Sequence, residues 1–213
     1  MEKKEGSNIK KYTAIVILFV ISIMVIGVSV SYSFFNISVE GSKEVTPSNA
    51  TPFEVTTTLN DATAINAAQL ALIDGSTYET NAEKVSFSVT NSASSGVKAK
   101  YTIDLVEMSI TKNLASKYFK WALVINPEGD NPQVFTGDFA DSNIGAEGNS
   151  DTTLVTGLTK TLLNDKNALI LDIGATDNLD FYIWLENDEV IDQLYLTNGD
   201  FSGKLSMNAV PTR

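Results

Sequence analysis

The sequence predicts an all-β protein, an antiparallel β-sandwich with one or two short helices, preceded by an N-terminal transmembrane or signal-peptide helix. Apolar and polar residues alternate in many short stretches, which is typical of strands with one buried face. Turn-rich stretches separate them, as in a sandwich rather than in βαβ units. Residues 12–39 contain no charge over 28 positions, a length that predicts entry into a membrane.

The N-terminal helix is predicted over residues 12–35, directly after a basic segment at residues 1–11. Because positive charge stays on the cytoplasmic side, the basic segment is expected inside the cell and everything after Asn36 outside it. Contact with the membrane is therefore expected through residues 12–35. The basic residues of the N-terminal segment are Lys3, Lys4, Lys10 and Lys11.

Two fates of this helix remain open. Ser31 and Ser33 place small side chains on either side of Tyr32, at the positions that a signal peptidase reads, and so predict cleavage before Phe34. Left uncut, a helix over residues 12–35 would rise roughly 36 Å, enough to span a bilayer of roughly 30 Å permanently. The protein is thus expected either as a secreted protein or on the extracellular face of the cell membrane.

A linker is predicted at residues 36–52 and the extracellular β-sandwich domain at residues 53–213. Residues 40–52 mix Gly, Ser, Thr, Pro and charges without any period, which is typical of a linker. Phe181–Leu185 is apolar on both faces and is expected to be a central strand. Further strands with period two are predicted at residues 53–59, 85–89, 97–105, 119–125, 169–173 and 205–209.

Turns and short helices are predicted between these strands. Residues 91–96, 126–132 and 138–151 are rich in turn formers, and Asn198-Gly199 suits the positive φ of a tight hairpin. Asp61–Ile73 has helical spacing of alanines and leucine behind a capping aspartate. Met108–Lys117 is a second helical candidate.

Composition excludes several classes of function. The chain has a net charge of −11, and removing its first eleven residues, with four lysines and two glutamates, leaves −13. This charge repels nucleic acid, so no nucleic-acid partner is expected. The absence of histidine and cysteine excludes Ser-His, Cys-His and histidine-metal chemistry. About 170 exported residues suffice for a domain without disulfides.

The N-terminal junction and the strand pattern resemble a known family. The residues 31–36, Ser-Tyr-Ser-Phe-Phe-Asn, follow an apolar helix and precede an acidic, cysteine-free β domain, and this resembles the TasA/camelysin family of exported proteins of Gram-positive bacteria. The runs 181–186 and 200–205 are similar to the final strands of its members. The resemblance implies a jelly-roll-like sandwich, a SipW-type signal peptide cut by a dedicated signal peptidase, and assembly into fibres of the biofilm matrix.

One acidic loop offers a possible calcium site. Oxygen-bearing side chains are dense between residues 138 and 151, and hard cations such as Ca²⁺ prefer such ligands. The competing interpretation is a solvated turn, because the spacing imitates an EF-hand loop only in part. The candidate ligands are Asp138, Asp141, Asn143, Glu147 and Asp151.

Two enzymatic interpretations are weighed against structural ones. Glu186, Asp188, Glu189 and Asp192 follow the central strand and would suit a carboxylate-based hydrolase, although such residues usually form a polar loop. Camelysin-like proteins have been classed as metallopeptidases, but carboxylates alone suit Ca²⁺ or Mg²⁺ better than catalytic Zn²⁺. No enzymatic activity and no cofactor apart from calcium are therefore predicted. The aromatic residues Tyr101, Trp121, Phe181, Tyr182 and Trp184 are interpreted as core.

The function predicted from these observations is structural or adhesive, at the cell surface or in a biofilm matrix. Cleavage before Phe34 would free an apolar, charge-free strand former that can pair with the edge of a neighbouring molecule. The alternatives are a ligand-binding or calcium-binding adhesion module and the hydrolase. The expected partners are the membrane, the signal peptidase and further copies of the chain. The assembly strand consists of Phe34, Phe35, Asn36, Ile37, Ser38 and Val39.

Overall fold

The computed structural model describes residues 34–40, 55–59, 70 and 72–212, and within them eleven strands form two sheets. The predicted all-β sandwich is confirmed. Most neighbouring strands are antiparallel, and the two parallel pairs lie at β1 with β11 and at β3 with β10. In chain order the strands are β1 Phe34–Glu40, β2 Val55–Leu59, β3 Leu72–Ile73, β4 Glu83–Asn91, β5 Lys98–Thr111, β6 Phe119–Ile125, β7 Gln133–Asp138, β8 Leu154–Leu163, β9 Leu169–Leu171, β10 Thr176–Glu186 and β11 Asp200–Thr212.

The two sheets share the strands almost equally. The first sheet has the order β1-β11-β5-β8, with β9 beside the start of β5. The second has the order β2-β4-β10-β6-β7, with β3 beside the end of β10. The strand predicted to be central, around Phe181–Leu185, is β10 and lies between β4 and β6.

The hydrophobic core lies between the sheets and draws residues from both. Tyr101 and Leu105 of β5 and Phe181 and Ile183 of β10 are essentially without exposure and belong to one cluster. One end of this core contains three aromatic rings with centroid separations of 4.4 to 4.9 Å. These rings belong to Phe119, Phe139 and Phe201.

A smaller apolar cluster lies on the outer face of the second sheet. Tyr182 and Trp184 of β10 point away from the main core, and α1, Tyr78–Asn81, covers them. Tyr78 stacks on Trp184 with 5.0 Å between centroids and meets Tyr182 edge-on at 5.3 Å. This cover explains why β10 is apolar on both faces, since each face has its own apolar contacts.

Both predicted helices need correction. Met108–Thr111 continues β5, because β8 and β11 supply ladder partners there, and only Lys112–Leu114 forms a 3₁₀ turn. Ile73, the predicted end of the first helix, is in β3, while residues 60–69 and 71 lie outside the described part. The remaining 3₁₀ turns are Gly75–Thr77 and Leu194–Leu196.

The predicted N-terminal boundaries also change where the structure describes them. Phe34 and Phe35, expected at the end of the membrane helix, are in β1, and so are residues 36–40, expected in the linker. Their backbone follows the ladder of β11, which overrides the apolar continuity with the preceding segment. The rest of the predicted helix, residues 12–33, lies outside the described residues. Among those described, none of the helices is long and apolar enough to cross a membrane.

Strands β7 and β8 were not predicted, and the Asn198-Gly199 turn was predicted only in part. Asn198 has the expected positive φ of 58°, but it joins a 3₁₀ turn to β11 instead of closing a hairpin. In β8, apolar residues recur at every fourth position, at Leu154, Leu158 and Leu162. Three irregularities in its pairing with β5 shift the phase of the alternation. The apolar residues of β8 therefore do not show the period of two that predicts a strand.

Candidate functional site

The predicted assembly strand forms β1, at the edge of the first sheet. Seven residues, from Phe34 to Glu40, pair in parallel with β11 of the same chain. The register sets Phe35 beside Phe201, and Ile37 beside Gly203. Phe201 and Gly203 are buried within β11.

The cleavage candidate adjoins this strand. Phe34 is the first residue of β1, whereas Ser31, Tyr32 and Ser33 lie outside the described residues. A cut before Phe34 would therefore fall at the point where pairing with β11 begins, leaving all seven paired residues on the exported chain. Cleavage and strand pairing are compatible in this arrangement.

The acidic loop between β7 and β8 uses its carboxylates for local bonds and ion pairs. Asp138 lies 3.9 Å from the Lys120 ammonium and accepts a hydrogen bond from the backbone amide of Ala140. Asp141 accepts bonds from both the backbone amide and the side-chain amide of Asn143, at 2.9 and 3.0 Å. Such bonds are typical of an Asx turn.

The other two candidate calcium ligands pair with different lysines. Glu147 lies 3.3 Å from the Lys117 ammonium, and Asp151 lies 2.9 Å from that of Lys112. The described residues contain no group of three or more His, Cys, Asp or Glu side chains placed to hold a metal ion. The five candidates are thus brought into one loop but not around one point.

Asp151 connects the start of β8 to the end of β5. Its carboxylate accepts bonds from the hydroxyl and the backbone amide of Thr153, at 2.6 and 2.9 Å, besides the Lys112 contact. The hydrogen bonds from Thr153, followed by that from Lys112, lower the pKa of Asp151 to about 2. The carboxylate therefore stays charged and keeps these contacts over the whole neutral range.

The carboxylates after β10 line a polar cleft of about 340 Å³ at one end of the sandwich. Asp188 accepts a hydrogen bond from the Tyr118 hydroxyl at 3.1 Å, and Glu186 lies 3.5 Å from the Lys120 ammonium. Asp192 accepts from the backbone amide of Leu194. Glu186, Asp188 and Asp192 thus each have a structural partner. The cleft is lined by Lys117, Tyr118, Lys120, Glu186, Asn187, Asp188 and Glu189.

Sequence reasoning found only one side of this cleft. The acidic residues at the end of the central strand and after it were candidates, whereas Lys117 and Tyr118 precede β6 and Lys120 lies at its start, far away in the sequence. The two segments meet because β6 and β10 are antiparallel neighbours, which brings the start of one to the end of the other. No local sequence signal joins them.

The five aromatic residues interpreted as core are buried, as predicted. Tyr101 has no exposure and donates a hydrogen bond from its hydroxyl to Asp177 at 2.7 Å. Burial, and then the negative charge of Asp177, raise the pKa of the Tyr101 hydroxyl far above its usual range. Asn126, with a φ of 53°, donates to the same carboxylate at 2.9 Å. This network fixes the turn after β6 to the start of β10.

A second polar network, not anticipated from the sequence, lies on the outer face of the second sheet. Asp180 is only 7% exposed and accepts hydrogen bonds from Ser86 at 2.5 Å and from Tyr182 at 3.2 Å. Lys84 completes it at 3.2 Å from the same carboxylate. The three partners satisfy a carboxylate that would otherwise be costly to bury. The network is structural, because its contacts join side chains of β4 and β10.

Comparison with known proteins adds no relative. No protein-family model, no curated protein and no solved structure matches this chain.

Proposed function

We propose that this protein is an exported, non-enzymatic structural subunit, secreted or held at the extracellular face of the cell membrane, which assembles through β1. A jelly-roll-like sandwich and a biofilm-matrix role of the kind the family resemblance implies belong to the same proposal. The position of β1 carries it: a strand whose first six residues are uncharged, directly after the predicted cleavage junction, lies at the edge of a sheet.

The geometry of β1 allows exchange between molecules. Among the described residues β1 pairs with one strand, β11, and parallel pairing is slightly less stable per residue than antiparallel pairing. An edge strand with one partner can be replaced by the same segment of another copy, because the backbone bonds are identical in both cases. Repetition of this exchange would join copies head to tail.

The engaged carboxylates favour a structural role over a hydrolytic one. Glu186 and Asp188 are each bonded to a side chain of β6 or its preceding turn, and Asp192 caps the next turn. A general acid and base need to face a substrate, whereas these groups hold loops in place. The same reasoning applies to the loop of residues 138–151, where Glu147 and Asp151 pair with lysines.

The first experiment determines the N-terminus of the exported protein. The full chain is expressed in a Gram-positive host with the dedicated signal peptidase, and intact-mass spectrometry is applied to protein from the medium and from the cell surface. A mature chain beginning at Phe34 is expected, because β1 begins there. Recovery of the full-length chain from the cytosol alone would contradict export.

The second experiment tests β1 as the assembly strand with two matched lysine substitutions. Ile37→Lys changes the residue in register with Gly203, which is buried, whereas Asn36→Lys changes the one in register with Ser202, which is partly exposed. Ile37→Lys is expected to abolish high-molecular-weight assemblies in sedimentation velocity, and Asn36→Lys to retain them, since burying an unpaired charge is costly. Equal assembly by both variants would refute assembly through β1.

A further inference from the structure

The other sheet has an edge of its own at β7, which pairs with β6 and with no other strand of the described residues. The register runs without interruption from Gln133, opposite Ile125, to Asp138, opposite Lys120. In contrast to β1, this edge strand lies between two turns in the middle of the chain, and no other described strand pairs with its outer side.

The backbone bonds show which residues of β7 point outward. The Phe139 amide donates to the Phe119 carbonyl at 2.9 Å, and in an antiparallel ladder bonded pairs alternate along the strand. Residues 133, 135 and 137 therefore direct their backbone groups to β6. The amides and carbonyls of Val134, Thr136 and Asp138 face away from the sheet.

The hydrogen bonds between β6 and β10 indicate independently which residues of β7 point outward. The Asn126 amide donates to the Asn178 carbonyl at 2.6 Å, and the Glu186 amide to the Tyr118 carbonyl at 2.7 Å. Even-numbered residues of β6 thus bond to β10, which leaves its odd-numbered residues for β7. Both observations therefore place the outward-facing amides and carbonyls of β7 at Val134, Thr136 and Asp138.

The edge lacks the usual protection against strand addition. From Gln133 to Gly137 there is no charge, no proline and no bulge, and Val134 is 47% exposed. Natural edges are commonly blocked by such features, since an open row of amides and carbonyls pairs readily with another chain. A strand that pairs here gains backbone bonds along about six residues.

Charge at the two ends of β7 selects the occupant. Glu128 and Asp130 precede the strand and are exposed, while Asp138 and Asp141 lie at and after its end. A second copy in antiparallel pairing would bring one acidic end against the other, and like charges in that position repel. A segment with lysine or arginine at both ends meets opposite charge instead.

We infer that the free edge of β7 binds an extended segment of a protein partner, about six uncharged, strand-forming residues with basic residues at both ends. Binding adds a seventh strand to the six-stranded sheet. The site is distinct from β1, which lies on the other sheet, so its failure would leave the assembly proposal standing.

The test uses the protein purified from a host that exports it, together with a labelled synthetic peptide, KRTVTVTRK. Fluorescence anisotropy is expected to show saturable binding that weakens as salt is added, because the charged ends are solvent-exposed. The acid-flanked peptide EDTVTVTDE and the proline-interrupted peptide KRTVPVTRK are expected not to bind. Equal binding of the basic and the acidic peptide would overturn the charge argument.

Two substitutions at one position locate the edge. Thr136→Pro removes an outward amide without removing a bond to β6 and is expected to weaken peptide binding roughly tenfold or more. Thr136→Val retains the amide and is expected to bind like the parent protein. Unchanged binding by Thr136→Pro would overturn the proposal, and so would a dimer of the parent protein that Thr136→Pro abolishes, because the occupant would then be a second copy.

Hydrogen exchange provides a readout that does not depend on any variant. The peptide is expected to slow exchange at Val134, Thr136 and Asp138, whose amides point outward, and to leave Phe135 and Gly137 as they were, because these amides already bond to β6. Protection confined to the odd-numbered residues, or absent from the whole strand, would overturn the assignment.

Discussion

β7 and β8 are both edge strands of the sandwich, yet they handle the exposure of their backbones differently. β7 keeps an uninterrupted register with β6, whereas the pairing of β8 with β5 shifts at three places. Opposite the irregular stretch, Glu107 has a φ of 49°, and within β8 Gly157 has a φ of 75°. Irregular edges are poor templates for another strand, and regular ones are good templates.

Both strands lie at an edge of their sheet, but only β7 presents a regular row of backbone groups. β8 contains Lys160 and pairs with β5 in an irregular register, two features that discourage pairing with a further strand. β7 has neither, and its protection consists of acidic residues at and beyond its ends. We therefore expect β8 to bind no further strand and β7 to bind a strand with basic ends.

Glycine at 137 in β7 should be the more sensitive of the two edge glycines. A Cβ atom there would lie 2.7 to 2.9 Å from the Trp121 indole, which is buried. Gly137→Ala is expected to lower the free energy of unfolding by roughly 1–3 kcal/mol, as overpacking of a core side chain does. Urea unfolding checks this, with the exposed neighbour Thr136→Ala as a control expected within about 0.5 kcal/mol of the parent. Two equal effects would mean that Trp121 moves aside freely.

Glycine at 157 in β8 is needed for a different reason, and the expected loss is smaller. A Cβ atom there would meet nothing within 4 Å, but the φ of 75° is unfavourable for alanine. Gly157→Ala is expected to cost roughly 1–2 kcal/mol of unfolding free energy, and Gly157→Asn less, because asparagine tolerates this conformation. Calorimetric unfolding of the two variants measures the difference. If asparagine destabilises as much as alanine, the cause is not the backbone angle.

The contribution of Asp151 to the stability of the fold should change only at acidic pH, and it is the smallest expected effect. Because the folded pKa of about 2 lies below the usual 3.8, the carboxylate stabilises the fold fully above pH 3.8 and loses that contribution as pH falls through about 2. Asp151→Asn is expected to flatten the acid side of the stability profile. Denaturant midpoints between pH 2 and 5 measure this, and a parallel loss in both proteins would contradict it.

The prediction from sequence worked best where a residue's environment is set by its immediate neighbours. The strand at Phe119–Ile125 was predicted with its observed bounds, and Phe181–Leu185 was correctly placed in the middle of a sheet. In both cases side-chain alternation or its absence directly reflects burial. The prediction failed at Met108–Thr111, where ladder partners from distant strands decide between helix and strand.

The candidate sites were likewise predicted only as far as local composition reveals them. The loop of residues 138–151 was recognised as acidic from its composition, but the pairing of Glu147 with Lys117 and of Asp151 with Lys112 depends on strands far away in the sequence. The cleft beside Tyr118 was half predicted for the same reason. A list of acidic residues does not reveal which lysine each one meets.

The amino-acid sequence by itself determined the all-β class, the acidic surface, the absence of histidine and cysteine chemistry and the strongly apolar N-terminal segment, because these follow from composition and from periodicity along the chain. Only the tertiary structure decided which strand lies at an edge, which backbone amides of β7 face outward and where β1 pairs. These properties follow from hydrogen bonds between residues far apart in the sequence, and no local pattern of side chains encodes them.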